Sequence, residues 1–120
     1  MMYKHYAPGG ELWMVRGQPQ NVQRCCLKHY RQALAEGKNV RILAFEEHLP
    51  AYAGAKALSI GSLAQPETVG HKLFALLRQM DDEKVDTLFC EVLPAQGFGL
   101  AIMNRLCRAA AFRTIEADEE

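Results

Sequence analysis

The chain has 120 residues, 49% of them apolar, with 14 Lys and Arg balanced by 14 Asp and Glu. That length fits one domain with one core and leaves no room for a second full catalytic domain, while zero net charge excludes a polyanion binder driven by a basic excess. No apolar run approaches the ~20 residues of a membrane-spanning helix, and Met1-Met2-Tyr3-Lys4-His5 lacks the apolar centre of a secretion signal, so a cytoplasmic protein with no membrane partner is expected.

After the break at Pro8-Gly9-Gly10, Glu11-Leu12-Trp13-Met14-Val15-Arg16-Gly17 reads as a short buried strand. Pro19 suits the first turn of a helix that runs to Gly37, with Val22, Cys26, Tyr30, Ala33 and Leu34 at inward spacing. Val40 to Phe45 is a second strand, Glu46 to Ala55 a polar loop, and Ala57-Leu58-Ser59-Ile60 a third strand ended by Gly61. Gln65-Pro66-Glu67 repeats the helix-start signal, and Val69, Leu73, Leu76, Leu77 and Met80 form an apolar stripe. Asp86 to Leu93 is a fourth strand. A last helix follows Gly97 and Gly99 to about Ala111, with Ile102, Leu106, Ala109 and Ala110 inward, before a short edge strand at Phe112-Arg113-Thr114-Ile115. Strands alternating with helices predict an α/β fold of three layers: a mostly parallel five-stranded sheet with helices on both faces.

Charge is unevenly placed. Residues 1–40 carry a net +4 and residues 81–120 a net −5. Arg24, Lys28 and Arg31 share one helix face, a stripe that could meet phosphate or a tRNA but has the composition of an ordinary solvated face. Glu116-Ala117-Asp118-Glu119-Glu120 has the composition of a disordered acidic tail.

In an open parallel sheet, ligands bind beyond the carboxyl ends of the strands, which directs attention to loops near Gly17, Glu46, Gly61 and Pro94. Pro94-Ala95-Gln96-Gly97-Phe98-Gly99 leads into a helix whose first-turn N–H groups suit an anion, and Asn104 and Arg105 follow one turn on. The pair Gly97 and Gly99 lacks the third glycine of a dinucleotide fingerprint, so close packing explains it equally well. Cys25, Cys26, Cys90 and Cys107 include no Cys-x-x-Cys pair and read as reduced thiols. Glu46-Glu47-His48 are adjacent and diverge, and His29 and His71 fall within helices; no metal site and no complete catalytic set is expected.

Two end segments resemble a known family. Tyr3-Lys4-His5-Tyr6-Ala7-Pro8 is similar to the Lys/Arg-Tyr-x-His-Tyr-Ala-Pro linker of long-form threonylcarbamoyl-AMP synthases. Gly97-Phe98-Gly99-Leu100-Ala101-Ile102-Met103-Asn104-Arg105-Leu106 is similar to their C-terminal Gly-Leu-Gly-x-Ala-Ile-x-Asn-Arg-Leu segment, with Phe98 in place of leucine. Leu73-Phe74-Ala75-Leu76-Leu77-Arg78, with Asp81 or Asp82 after it, resembles their Leu-Phe-x-x-Leu-Arg-x-x-Asp helix.

The resemblance implies a two-domain enzyme that makes threonylcarbamoyl-AMP from ATP, threonine and bicarbonate for tRNA modification. It assigns ATP, Mg²⁺ and the chemistry to an N-terminal domain, leaving no cofactor to this chain. Residues 1–10 correspond to the linker and 11–115 to the C-terminal Rossmann-like domain, with 116–120 as tail. Tyr3, Lys4, His5 and Tyr6 are then expected to face the catalytic cleft as a lid. Met1 stands at the methionine of the family's Ser-Pro-Gly-Met lead-in and Met2 replaces a basic residue, so the start is expected to lie inside the motif. The catalytic domain, in cis or in trans, is the implied partner. The rival expectations are a free-standing nucleotide- or anion-binding module built on Gly97 and Gly99, and a protein or tRNA docking module built on Arg24, Lys28 and Arg31.

Overall fold

The computed structural model describes residues 10–92, 98–111 and 113–120, without the side chains of residues 98–100, 103 and 109. Five strands form one sheet: β1 (Glu11–Arg16), β2 (Val40–Ala44), β3 (Ala57–Ser59), β4 (Thr87–Glu91) and β5 (Thr114–Glu116). Their order is β3-β2-β4-β1-β5, and every pairing is parallel. Three helices connect them: α1 (Pro19–Ala35), α2 (Val69–Asp82) and α3 (Phe98–Ala109). This is the expected three-layer α/β architecture.

Alternation along the strands divides the core. From β1, Leu12 and Met14 point into a layer filled by Val69, Leu73, Leu77 and Met80 of α2 and by Ile102 and Leu106 of α3. Val15, one residue on, points into the opposite layer with Val22, Cys26, Tyr30 and Ala33 of α1 and with Tyr52. Both partners of β4 begin level with its first residue, since Glu11 and Val40 each pair with Thr87. All five residues of β4 are buried, which its central place requires.

α1 ends as its sequence indicates. Gly37, at φ +82°, closes the helix while Lys38 N–H reaches back to Ala33 C=O at 3.1 Å. Leu34 departs from the inward set at 51% exposed, although its neighbour Ala33 is buried against the sheet. Glu46–Tyr52, expected as loop, is a 3-10 helix that buries Tyr52.

The largest correction concerns the tail. Residues 116–120, expected to be disordered, continue β5 at Glu116 and then form a 3-10 turn over Ala117–Glu119. Ala117 is 2% exposed among the residues that face α1. The acids that suggested disorder find partners at the basic end of the chain. Glu116 pairs with Arg16 at 2.7 Å, and Asp118 Oδ1 accepts from Gln18 N–H at 2.9 Å and Asn21 Nδ2 at 2.8 Å. Gly17, at φ +138°, leaves the space for this contact, since a Cβ there would lie 2.7 Å from Asp118 Oδ1.

Candidate functional site

At the carboxyl end of the central strand, its last residue Glu91 is a buried carboxylate, 3% exposed. Its Oε1 accepts from Phe45 N–H at 3.0 Å and lies 2.8 Å from His48 Nδ1, while its Oε2 accepts from Tyr52 Oη at 2.5 Å. Phe45, His48 and Tyr52 precede, enter and end the 3-10 helix after β2, so one carboxylate fastens that whole segment to β4. Burial pushes the Tyr52 hydroxyl above its ordinary range, reinforced by Cys26 and Glu91, and it also pushes up the Cys26 thiol. Both therefore stay protonated at neutral pH. A protonated, buried thiol and phenol are poor nucleophiles, and Glu91 has its oxygens engaged.

Glu46, Glu47 and His48 diverge. Glu47 accepts from the Ser62 hydroxyl and from Leu63 N–H at 3.0 Å, bonds that hold its carboxyl down to about 2. His48 turns to Glu91 instead.

Of the other candidates, Tyr3, Lys4, His5, Tyr6 and Gly97 lie outside the described residues, and Gly99 is described only as part of the first turn of α3. Asn104 and Arg105 are exposed on that helix. The Arg105 guanidinium lies 4.6 Å from the centroid of the Phe74 ring, over a groove of about 430 Å³ between α2 and α3. His71 and Glu67 line the same groove. Gly70 brings the two helices together, since a Cβ there would meet Ile102 at 3.2 Å. This face offers a planar cation on an aromatic support rather than a phosphate cradle.

The basic stripe is partly engaged: Arg24 donates to Asn21 Oδ1 at 2.5 Å and Lys28 lies 3.3 Å from Glu120 Oε1. Beside Lys28 the structure makes a grouping that sequence reasoning missed. Cys25, His29 and Glu120 present one ligand-type atom each, all within 4.8 Å of one another. The Cys25 thiol is pushed up to about 12, first by burial and then by its bond to Glu120. Cys25 and His29 are four apart on α1, a spacing visible in the sequence, but Glu120 is 91 residues beyond His29 and nothing local announces it.

Comparison with known proteins decides the family. The model of the threonylcarbamoyl-AMP synthase C-terminal domain matches residues 1–111. The chain belongs to that domain family. Threonylcarbamoyl-AMP synthase of Bacillus subtilis (strain 168) is 41% identical over 115 residues, covering 96% of this chain and 32% of its own length. The Pyrococcus abyssi (strain GE5 / Orsay) protein of the same name is 33% identical, covering 97% and 32%. The chain thus spans about a third of these curated relatives.

Solved structures agree on the fold. The P. abyssi Sua5 crystal structure complexed with L-threonine superposes with a TM-score of 0.80 at 32% identity, covering 97% of this chain and 32% of that one. The crystal structure of the C-terminal Sua5 domain from Pyrococcus horikoshii gives 0.69 at 30% identity, covering 92% of this chain and 99% of that one. The five-stranded parallel architecture is therefore that of the threonylcarbamoyl-AMP synthase C-terminal domain.

Proposed function

We propose that this chain is the linker-bearing accessory domain of a threonylcarbamoyl-AMP synthase and does not itself catalyse the formation of threonylcarbamoyl-AMP. The observation that carries this reading is the match of the C-terminal domain over residues 1–111. The chemistry at the carboxyl end of the sheet supports it: Glu91 and Glu47 are engaged by protein donors, and Cys26 and Tyr52 are held protonated. Glu91 is buried with both oxygens engaged, and no step through ATP or Mg²⁺ is assigned to these residues. Those groups, with threonine and bicarbonate, belong to the catalytic domain, which is the partner.

In this reading Tyr3, Lys4, His5 and Tyr6 cross the mouth of the catalytic cleft. Two tyrosines and a histidine bring flat, donor-bearing surface over a carbamate and a mixed anhydride that water would destroy, and excluding water is the purpose of such a lid. Arg105, steadied on Phe74, with Asn104 beside it, is the anchor for the neighbouring domain; a planar guanidinium on an aromatic ring can take a partner carboxylate without a large loss of rotamer freedom. tRNA is met only through the product. No described helix is long and apolar enough to cross a membrane, and the reading places the domain in the cytoplasm, where tRNA is modified.

The experiment joins this linker and domain to a threonylcarbamoyl-AMP synthase catalytic domain and follows threonine-dependent pyrophosphate release. His5→Ala with Tyr6→Ala is expected to lower turnover at least about tenfold, the scale of a lost positioning or water-excluding contact. Unchanged turnover would remove the lid role.

A further inference from the structure

Away from the sheet end, the face of α1 that meets the tail brings together three side chains of different chemistry. Cys25 Sγ lies 3.3 Å from Glu120 Oε1, and His29 Nε2 lies 3.0 Å from Oε1 and 3.4 Å from Oε2. Cys25 and His29, at i and i+4, project one above the other from a regular helix. Glu120 is set opposite them by the turn Ala117–Glu119, and that turn is fixed through Ala117 in the core and Asp118 on Gln18 and Asn21. Three ligands are thus presented by backbone that is held independently of them, which is the condition for a preorganised site.

From this geometry we infer that Cys25, His29 and Glu120 form a binding site for a zinc-class divalent cation. Bonds of about 2.0–2.3 Å to sulfur, nitrogen and oxygen put tetrahedral ligand atoms roughly 3.3–3.7 Å apart. The separations of 3.3 Å and 3.0 Å to Glu120 Oε1, with no pair beyond 4.8 Å, need only small side-chain rotations to reach that figure. A thiolate, an imidazole and one carboxylate select Zn²⁺ or Co²⁺ and disfavour Mg²⁺ and Ca²⁺, which require more oxygens.

The surroundings suit an incomplete shell. Cys25 is 3% exposed, whereas the side chains of His29 and Glu120 are 24% and 31% exposed. Both of the latter line a groove of about 410 Å³ that also contains Trp13 and Phe89. A fourth position, taken by water or a small donor, opens toward this groove. Lys28, the competing cation at 3.3 Å from Oε1, has a side chain 60% exposed and swings into solvent when the metal enters. On binding, the Cys25 Sγ–H bond breaks and the proton passes to solvent, the Sγ–metal bond forms, and neutral His29 donates its Nε2 lone pair.

Titration of the 120-residue chain with Co²⁺ tests this, because a thiolate ligand gives a sulfur-to-cobalt charge-transfer band and a tetrahedral site gives intense visible bands. The bands are expected to saturate at one equivalent and to bleach when Zn²⁺ is added. Cys25→Ser should abolish the charge-transfer band, Cys107→Ser should leave it, and His29→Ala and Glu120→Gln should each weaken affinity by more than about tenfold. Far-UV circular dichroism checks that the variants fold, and the surface variants His29→Ala and Glu120→Gln carry the test if Cys25→Ser does not. Absence of the charge-transfer band, its survival in folded Cys25→Ser, its loss in Cys107→Ser, or unchanged affinity in the two surface variants overturns the proposal and leaves the cluster as a hydrogen-bonded latch.

Discussion

Two individual residues show where side-chain chemistry and backbone geometry disagree. Lys84 (φ +57°) and Ala111 (φ +52°) occupy the left-handed positions after α2 and α3 that Gly37 fills after α1. Val85 N–H reaches back to Met80 C=O at 3.0 Å, the same closure as at Lys38, so α2 ends in a glycine geometry without a glycine. An L-residue there costs about 1–2 kcal/mol and glycine returns about 0.5–1 kcal/mol of that as chain entropy, so Lys84→Gly is expected to stabilise by about 0.5 kcal/mol. A small rise in urea midpoint at unchanged m checks it. At Glu91 the expectation runs the other way. Glu91→Ala strips partners from Phe45 N–H, His48 and Tyr52 at once and should cost about 3 kcal/mol, with Glu91→Gln costing less because it keeps an acceptor oxygen. Glu91 was read in the sequence only as a strand residue. Of its three partners, Phe45 ends the expected second strand while His48 and Tyr52 come from a segment expected as loop, and no local spacing links them to Glu91.

Among the elements, the tail and α1 explain each other. The net +4 of residues 1–40 and −5 of residues 81–120 were legible, but their meeting was not, because opposite charges far apart in sequence specify no particular contact. Ala117 supplies the missing specificity by filling a core position, after which Glu116, Asp118 and Glu120 fall opposite Arg16, Gln18 and His29. Hydrogen bonds hold the carboxyls of Asp118 and Glu120 below their ordinary range: Asn21 leads for Asp118, and Cys25 and then His29 for Glu120. Glu47 is likewise held down, to about 2 from 4.5. Groups whose folded values are depressed stabilise fully above their unfolded values and lose that contribution as pH falls through the folded ones. Stability should therefore be flat between about pH 5 and 8 and decline from about 4.5 toward 2, with a shallower decline in Glu47→Gln/Asp118→Asn. Urea midpoints across that range measure it; a decline as steep in the double variant would contradict these assignments. Asp118→Ala should also speed exchange of the Gln18 amide hydrogen while leaving β4 amides protected.

Over the whole molecule, periodicity made the alternation of strands and helices legible, and with it the parallel sheet. The strand order was not, since the path from β1 to β2 passes over the place later filled by β4. The central position itself shows in the structure as the burial of every residue of Thr87–Glu91. The function was legible through the resemblance of the end segments, and the domain match over residues 1–111 carries the same reading. In the proposed function this domain equips a catalytic partner and performs no chemistry alone. The direct measurement supplies the purified chain with ATP, Mg²⁺, threonine and bicarbonate and follows threonine-dependent pyrophosphate release. The expected result is the background rate without enzyme; sustained turnover above that background, proportional to the amount of chain, rules the proposed function out.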